Sequence, residues 1–160
     1  HIHSECSIYS ISVSSAPLIY TNDADYTGCQ SVNQWEYCSY KDGIVDNLVY
    51  NDLKEVWENQ DGTHIGLDFQ MGTNGTFASR NWRCPTQGKY RIVFSAKCDT
   101  DTDVYVMLDN HITLYRNEKT NAVHYENIVQ VEENTFIQFV SGGGYLKKIS
   151  IEIQKTLDNR

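Results

Sequence analysis

From Thr63 onward, apolar and polar residues alternate with a period of two, interrupted by clusters of Gly, Asn and Asp. Successive side chains of a strand point to opposite faces, so this rhythm predicts strands buried on one side. The clearest pair lies within Cys84–Asn110. Tyr90, Ile92, Phe94 and Ala96 alternate with Arg91, Ser95 and Lys97, and Val104, Val106 and Leu108 alternate with Tyr105 and Met107. Between them DTDTD, residues 99–103, is too polar for a core and predicts a turn. Further strands are expected at 65–69, 77–82, 112–115, 123–131, 136–140 and 146–153, with a solvated turn at 116–121. In the last of these Ile149, Ile151 and Ile153 face inward.

The pattern weakens towards the start of the chain. Residues 7–20 predict a strand broken near Pro17, which has no N–H for a ladder. Residues 21–43 carry turn formers, two cysteines and four aromatics without a regular period. In 44–57, Ile44, Leu48 and Val56 share a helical stripe that Val45, Val49 and Asp52 blur. One short helix and two short strands fit that segment equally. Short strands separated by such turns imply an all-β, antiparallel sandwich or barrel. The length of 160 residues suits one domain over 1–160, large enough to bury about 70% of the unfolded surface.

Composition narrows the partners. Eleven Tyr, five Phe and three Trp favour strands and aromatic contact surfaces. Against 13 Lys and Arg stand 21 Asp and Glu, and the net charge of -8 repels phosphate backbones, which argues against nucleic acid. No apolar run approaches the ~18 residues of a membrane-spanning helix. The opening HIHSEC, without initiator Met or apolar leader, reads as a mature secreted chain, so an extracellular or surface setting is expected.

Cysteines stand at 6, 29, 38, 84 and 98, with no Cys-x-x-Cys and no paired His to suggest zinc. In an oxidising compartment two disulfides form and one thiol is left over, either buried and inert or linking two chains. Cys29 and Cys38 are placed to close a short loop, whereas Cys84 and Cys98 flank one strand and are not expected to bond each other. Asn74, with Gly75 and Thr76, forms a glycosylation sequon.

One resemblance adds to this. The run from Gly75 and Phe77 through Trp82, Cys84 and Pro85, then Gly88, Tyr90, Ile92, Phe94 and Ala96, resembles C1q/tumour-necrosis-factor-like domains. Val104, Val106, Leu108 and Asn110 continue in the same order. The ending, Tyr145 to Ile153, looks more like the last strand of galactose-binding-like carbohydrate-binding modules, which share the Gly88–Tyr90 strand motif. The likeness covers roughly residues 63–153. Both families are jelly rolls, so the resemblance implies an antiparallel jelly-roll β-sandwich and leaves function to the site.

No nucleophile elbow or paired catalytic carboxylates are legible, His64, His111 and His124 are isolated, and no catalytic residue is expected. Asp99, Asp101 and Asp103 could converge on calcium if they sit in a turn, or form a solvated acidic turn; in a strand they would share a face and repel. Tyr26, Trp35, Tyr37 and Tyr40, lying among Asn33, Gln34, Asp23 and Asp25, suggest a loop platform on which sugar rings stack. The alternative is that these aromatics plug the end of the sandwich or pack between protomers. Trp57 and Trp82 are assigned to the core. The function implied is a non-catalytic recognition or adhesion module whose partner is a glycan or cell-surface receptor. A homo-oligomeric assembly module, C1q-like or fibre-type, is the alternative.

Overall fold

The structure is a computed structural model and describes residues 19–73 and 75–157. Its strands, β1 to β12 in chain order, pair antiparallel in one hydrogen-bonded network that closes over itself as two layers. The first layer runs β3 (Ile44–Asn47), β2 (Trp35–Lys41), β8 (Phe77–Arg83), β11 (Phe136–Gly142) and the second half of β9 (Gly88–Leu108). The second runs from the first half of β9 through β12 (Tyr145–Lys155), β7 (Gln70–Met71), β6 (His64–Ile65), β5 (Val56–Glu58) and β4 (Val49–Asn51). There β1 (Ile19–Thr21) pairs with β12.

The long strand β9 joins the layers. Phe94 near its start pairs with Ile151 of β12, while Val106 near its end pairs with Phe139 of β11. β10 (Ile112–Val131) pairs with β9 along nearly its whole length and so follows it across both layers. Steps from β1 to β2, from β8 to β9 and from β11 to β12 carry the chain between layers, the crossover habit of a jelly roll. The inward faces meet through aromatic contacts. Ring centroids of Phe94 and Phe139 lie 5.2 Å apart, those of Trp82 and Tyr90 5.1 Å, and Tyr37 stacks on Trp57 at 5.0 Å. Such pairs add to the burial free energy through quadrupole alignment. Trp57 and Trp82 are buried as expected, as are Ile149, Ile151 and Ile153.

The fold is thus the all-β antiparallel sandwich that the two-residue rhythm predicts, with local corrections. Residues 99–103 are no turn, because β9 continues through them, and 116–121 are no turn, because β10 continues too. These polar stretches pair with each other, Thr102 opposite Thr120 and Val104 opposite Asn117, through register shifts between Asn117 and Thr120 and between Thr120 and Ala122. A strand crossing between layers has little core to cover there, so backbone pairing holds it without apolar side chains. Residues 44–57 hold three strands or parts of strands, β3, β4 and the start of β5, rather than a helix. Of the strand expected at 7–20, residues 7–18 lie outside the described residues, and 19 and 20 fall in β1.

The cysteine expectations also change. Cys29 is disulfide-bonded, but Cys38 is a free, buried thiol, so the Cys29–Cys38 pair does not form. Cys84 and Cys98 are free and buried as well, so of the four described cysteines only Cys29 is in a disulfide. The reason is that Cys38 belongs to strand β2, where its Sγ lies 3.6 Å from Asn47 Oδ1. Burial pushes its thiol up to about 12, leaving it unreactive at neutral pH.

Candidate functional site

Because 35–41 is a strand and not a loop, alternation decides what its aromatics do. Trp35 and Tyr37 point into the core and are 0% and 1% exposed. Tyr26 packs edge-on against Tyr37 at 5.4 Å, and its hydroxyl donates to the Glu55 carbonyl at 2.9 Å. Asn33 is exposed, with Nδ2 3.4 Å from the Asp25 carbonyl. The loop platform of Tyr26, Trp35, Tyr37, Tyr40 and Asn33 therefore does not assemble. These residues divide between core and surface, and only Tyr40 points outward onto a sheet face.

That face belongs to the first layer, and register builds it. Tyr40 stands opposite Phe77. One step along, Cys38 opposes Ser79, Ser79 opposes Val140, and Val140 opposes Tyr105. The next row is Glu36, Asn81, Gln138, Met107 and Thr113. Small or polar residues thus occupy the middle of the face and larger side chains surround them. Phe77 lies edge-on between Tyr40 at 6.3 Å and Tyr105 at 6.0 Å, making a row of partly exposed rings that crosses the strands. Together with Met107, Thr113 and Val140 they line a concavity of about 230 Å³.

Phe77 also lines a second concavity of about 390 Å³, walled by Gly72, Gly75, Gly142, Gly143 and Gly144 and bordered by Asp103. Gly142 sets the position of the ring, since a Cβ there would come within 2.6 Å of it. The site is acidic along one side. The Tyr105 hydroxyl donates to the Glu118 carboxylate, and its pKa is pushed up to about 12, by burial first and then by Glu118 and Asp103. Arg116, also beside Glu118 at 3.2 Å, opposes that shift. At the other end Glu36 accepts from Ser31 Oγ at 2.7 Å and from Arg83 at 3.0 Å, and Arg83 covers the Phe136 ring at 4.3 Å.

The aspartates expected to gather around calcium are strung along β9 instead. Asp99 pairs with Lys147 at 2.6 Å, and Asp103 accepts the Lys119 backbone N–H at 2.9 Å. Among the described residues no group of three or more His, Cys, Asp or Glu is placed to hold a metal ion. Asn74 lies outside the described residues. A third concavity of about 510 Å³ lies at the β4–β5 hairpin beside Tyr50, Asn51 and Glu58. Its one ring, Tyr50, packs against Trp57 at 5.1 Å, and Asn51 Nδ2 donates to Glu58 at 2.9 Å. That pocket is the less suited to stacking, since its one ring already packs on Trp57.

Phe77 and Tyr105, absent from the sequence-based site, did leave a signal. Tyr105 occupies the outward phase beside the apolar inward Val104 and Val106, and Phe77 the outward phase beside the inward Ala78, Arg80 and Trp82, where a large ring has no core to fill.

No family model matches the chain, and no curated protein matches it. Solved structures similar to it include the C-terminal CBM6 of LamC, a marine laminarinase from Zobellia galactanivorans, with 17% identity, a TM-score of 0.38, and coverage of 74% of this chain and 99% of that one. Another is the Podospora anserina GH26-CBM35 β-(1,4)-mannanase, at 16% identity and a TM-score of 0.39, covering 78% of this chain and 29% of that one. A third, TmCBM61 in complex with β-1,4-galactotriose, shows 13% identity and a TM-score of 0.34 over 76% of this chain and 84% of that one. Each is or contains a carbohydrate-binding module, the group that the end of this sequence resembles. With every TM-score below one half, the likeness transfers no ligand and no residue role, and the sandwich stands on the strand pairing described above.

Proposed function

We propose that this chain is a non-catalytic, extracellular carbohydrate-recognition module that binds glycan on the outer face of its first layer. The carrying observation is the row Tyr40, Phe77 and Tyr105, held at 6.0–6.3 Å spacings across strands distant in sequence. Sugar rings present C–H groups that suit the electron-rich face of an aromatic ring, and their hydroxyls need polar partners close by. Thr113 lines the same hollow as the rings and brings a hydroxyl to it. Partly exposed rings in a concavity on an otherwise acidic, polar surface are what such a ligand uses.

The test is retention of the protein by neutral polysaccharides (laminarin, mannan and galactan) in affinity gels, followed by titration of any that retain it. Phe77→Ala and Tyr105→Ala should each weaken binding by at least about ten-fold, the order of one stacking contact of 1–3 kcal/mol as measured for bases on aromatic rings. Both side chains are partly exposed, so the folded state should survive. Retention unchanged in the double variant would refute the site.

A further inference from the structure

Phe77 belongs to two concavities at once. On one side lie Tyr105 and Val140; on the other, the glycine-walled cleft that ends at Asp103. Asp103 and Tyr105 are two residues apart on one face of β9, about 7 Å along the strand. The two hollows therefore form one groove that passes over the Phe77 ring. Glycine makes the second hollow possible. A Cβ at Gly72 would lie 2.5 Å from the Thr76 carbonyl oxygen and one at Gly142 would strike Phe77, so the floor there is backbone. Gly143 has a left-handed φ of 79°, and a Cβ on it would find nothing nearer than the Asp101 carbonyl at 3.7 Å.

Among the described residues that line the groove, Asp103 is the one that carries a charge. Asp103 borders the cleft with one carboxylate oxygen engaged by the Lys119 N–H, and Glu118 stands at the Tyr105 hydroxyl. Arg116, opposite Tyr105 in the ladder, is already taken up by Glu118. The whole chain carries -8. Anionic sugars entering this groove meet like charge at contact distance, whereas uncharged ones can use the carboxylate as a hydrogen-bond acceptor.

We infer that the glycine-walled cleft is a sugar subsite continuous with the aromatic row, and that Asp103 makes the groove selective for uncharged glycan chains over uronate or sulfated ones. This rests on the glycan reading of the aromatic row. The bound chain crosses Phe77, stacking on it, and sets its next ring against the backbone of Gly143 and Gly144. Asp103 is the specificity-determining residue.

The experiment compares wild type, Phe77→Ala, Gly143→Asn and Asp103→Asn on immobilised laminarin, mannan and galactan, and on alginate and heparin. Asn tolerates a left-handed φ, and followed by Gly144 it suits the tight turn, so Gly143→Asn should fold while its side chain occupies the cleft. It should weaken binding to the neutral polymer by about ten-fold, as a lost contact of ordinary size does. Asp103→Asn, nearly isosteric, exchanges a charged acceptor for a neutral one and should weaken binding to the neutral polymer by about five-fold or less, while raising binding to alginate by at least about five-fold, the effect of removing one like charge at contact. If wild type is retained and Phe77→Ala is not, yet either of the other variants behaves as wild type on every polymer, the subsite is refuted while the aromatic site stands. If wild type is retained by none of the neutral polymers, the glycan reading itself falls.

Discussion

Arg80 is fully buried and has no carboxylate among its hydrogen-bond partners. Its Nε donates to Gln70 Oε1 at 3.1 Å, Nη2 to the Gly66 and Phe69 carbonyls at 2.9 and 3.1 Å, and Nη1 reaches the Leu67 carbonyl at 3.4 Å. A guanidinium removed from water is tolerable only where fixed dipoles replace its hydration, and the carbonyls of 66–69 do so. Gln70 passes the arrangement on, its Nε2 donating to the Ala78 and Phe139 carbonyls at 3.1 and 3.2 Å. Arg80 thus ties the segment between β6 and β7 to the first layer, next to the cleft bordered by Met71 and Gly72. Arg80→Met, which fills similar space but donates nothing, should destabilise the protein by about 3 kcal/mol or more through the acceptors it strands. Arg80→Lys should fall well short of wild type, because one ammonium cannot reproduce a fork. Denaturant midpoints measure both, and a loss for Arg80→Met below about 1 kcal/mol would mean that the carbonyls find water instead. The sequence marks Arg80 only by phase: Ala78, Arg80 and Trp82 alternate on the buried side. Its charge argues for solvent, and nothing local reveals the carbonyls that receive it.

At the scale of elements, β12 shows how a strand legible in outline can hide its defining detail. The run Ile149, Ile151 and Ile153 identifies the inward face correctly. It gives no sign of the irregularity between Lys147 and Ser150, where Lys148 has a φ of 54° and the ladder to β9 shifts register. Asn22, just after β1, holds the other edge of β12 at that point, where the pairing with β1 ends at Thr21. Its Oδ1 accepts the Ile151 N–H at 2.7 Å, and its Nδ2 donates to the Ile149 carbonyl at 2.9 Å and reaches the Leu67 carbonyl at 3.3 Å. These are backbone groups with no water to turn to, since Asn22 is 2% exposed. Asn22→Ala should cost about 2–3 kcal/mol, and Asn22→Asp should also destabilise because it cannot donate. Amide exchange at Ile151 would rise in Asn22→Ala, which removes its acceptor; protection unchanged at that amide would show that the bulge holds itself. The polar stretches of β9 and β10 were illegible for a related reason. Turn formers such as Asp, Thr and Asn also pair adequately when two such segments face each other, and pairing partners far apart in sequence leave no local trace.

For the molecule as a whole, the class of fold was legible because every strand must bury one face, and that requirement is written along the chain with period two. The candidate site was not, because Tyr40, Phe77, Tyr105 and Thr113 come from β2, β8, β9 and β10 and meet only through register. The aromatic cluster that is local in sequence, by contrast, is split by the alternation of a single strand. Global charge then constrains how such a site can work. A chain at -8 repels polyanions over about 10 Å at 0.1 M salt and over only about 3 Å at 1 M. Stacking and hydrogen bonding to an uncharged ring have no counterion term, so affinity for a neutral polysaccharide should stay level across that range. Retention on alginate, weak at low salt, should rise as screening removes the repulsion, and it should rise less in Asp103→Asn, where part of the repulsion is already gone. Titration at the two ionic strengths reads this directly. A neutral-glycan affinity that falls steeply with salt would place the contact on charged groups rather than on the aromatic row, and with it would go the account of how this surface selects its ligand.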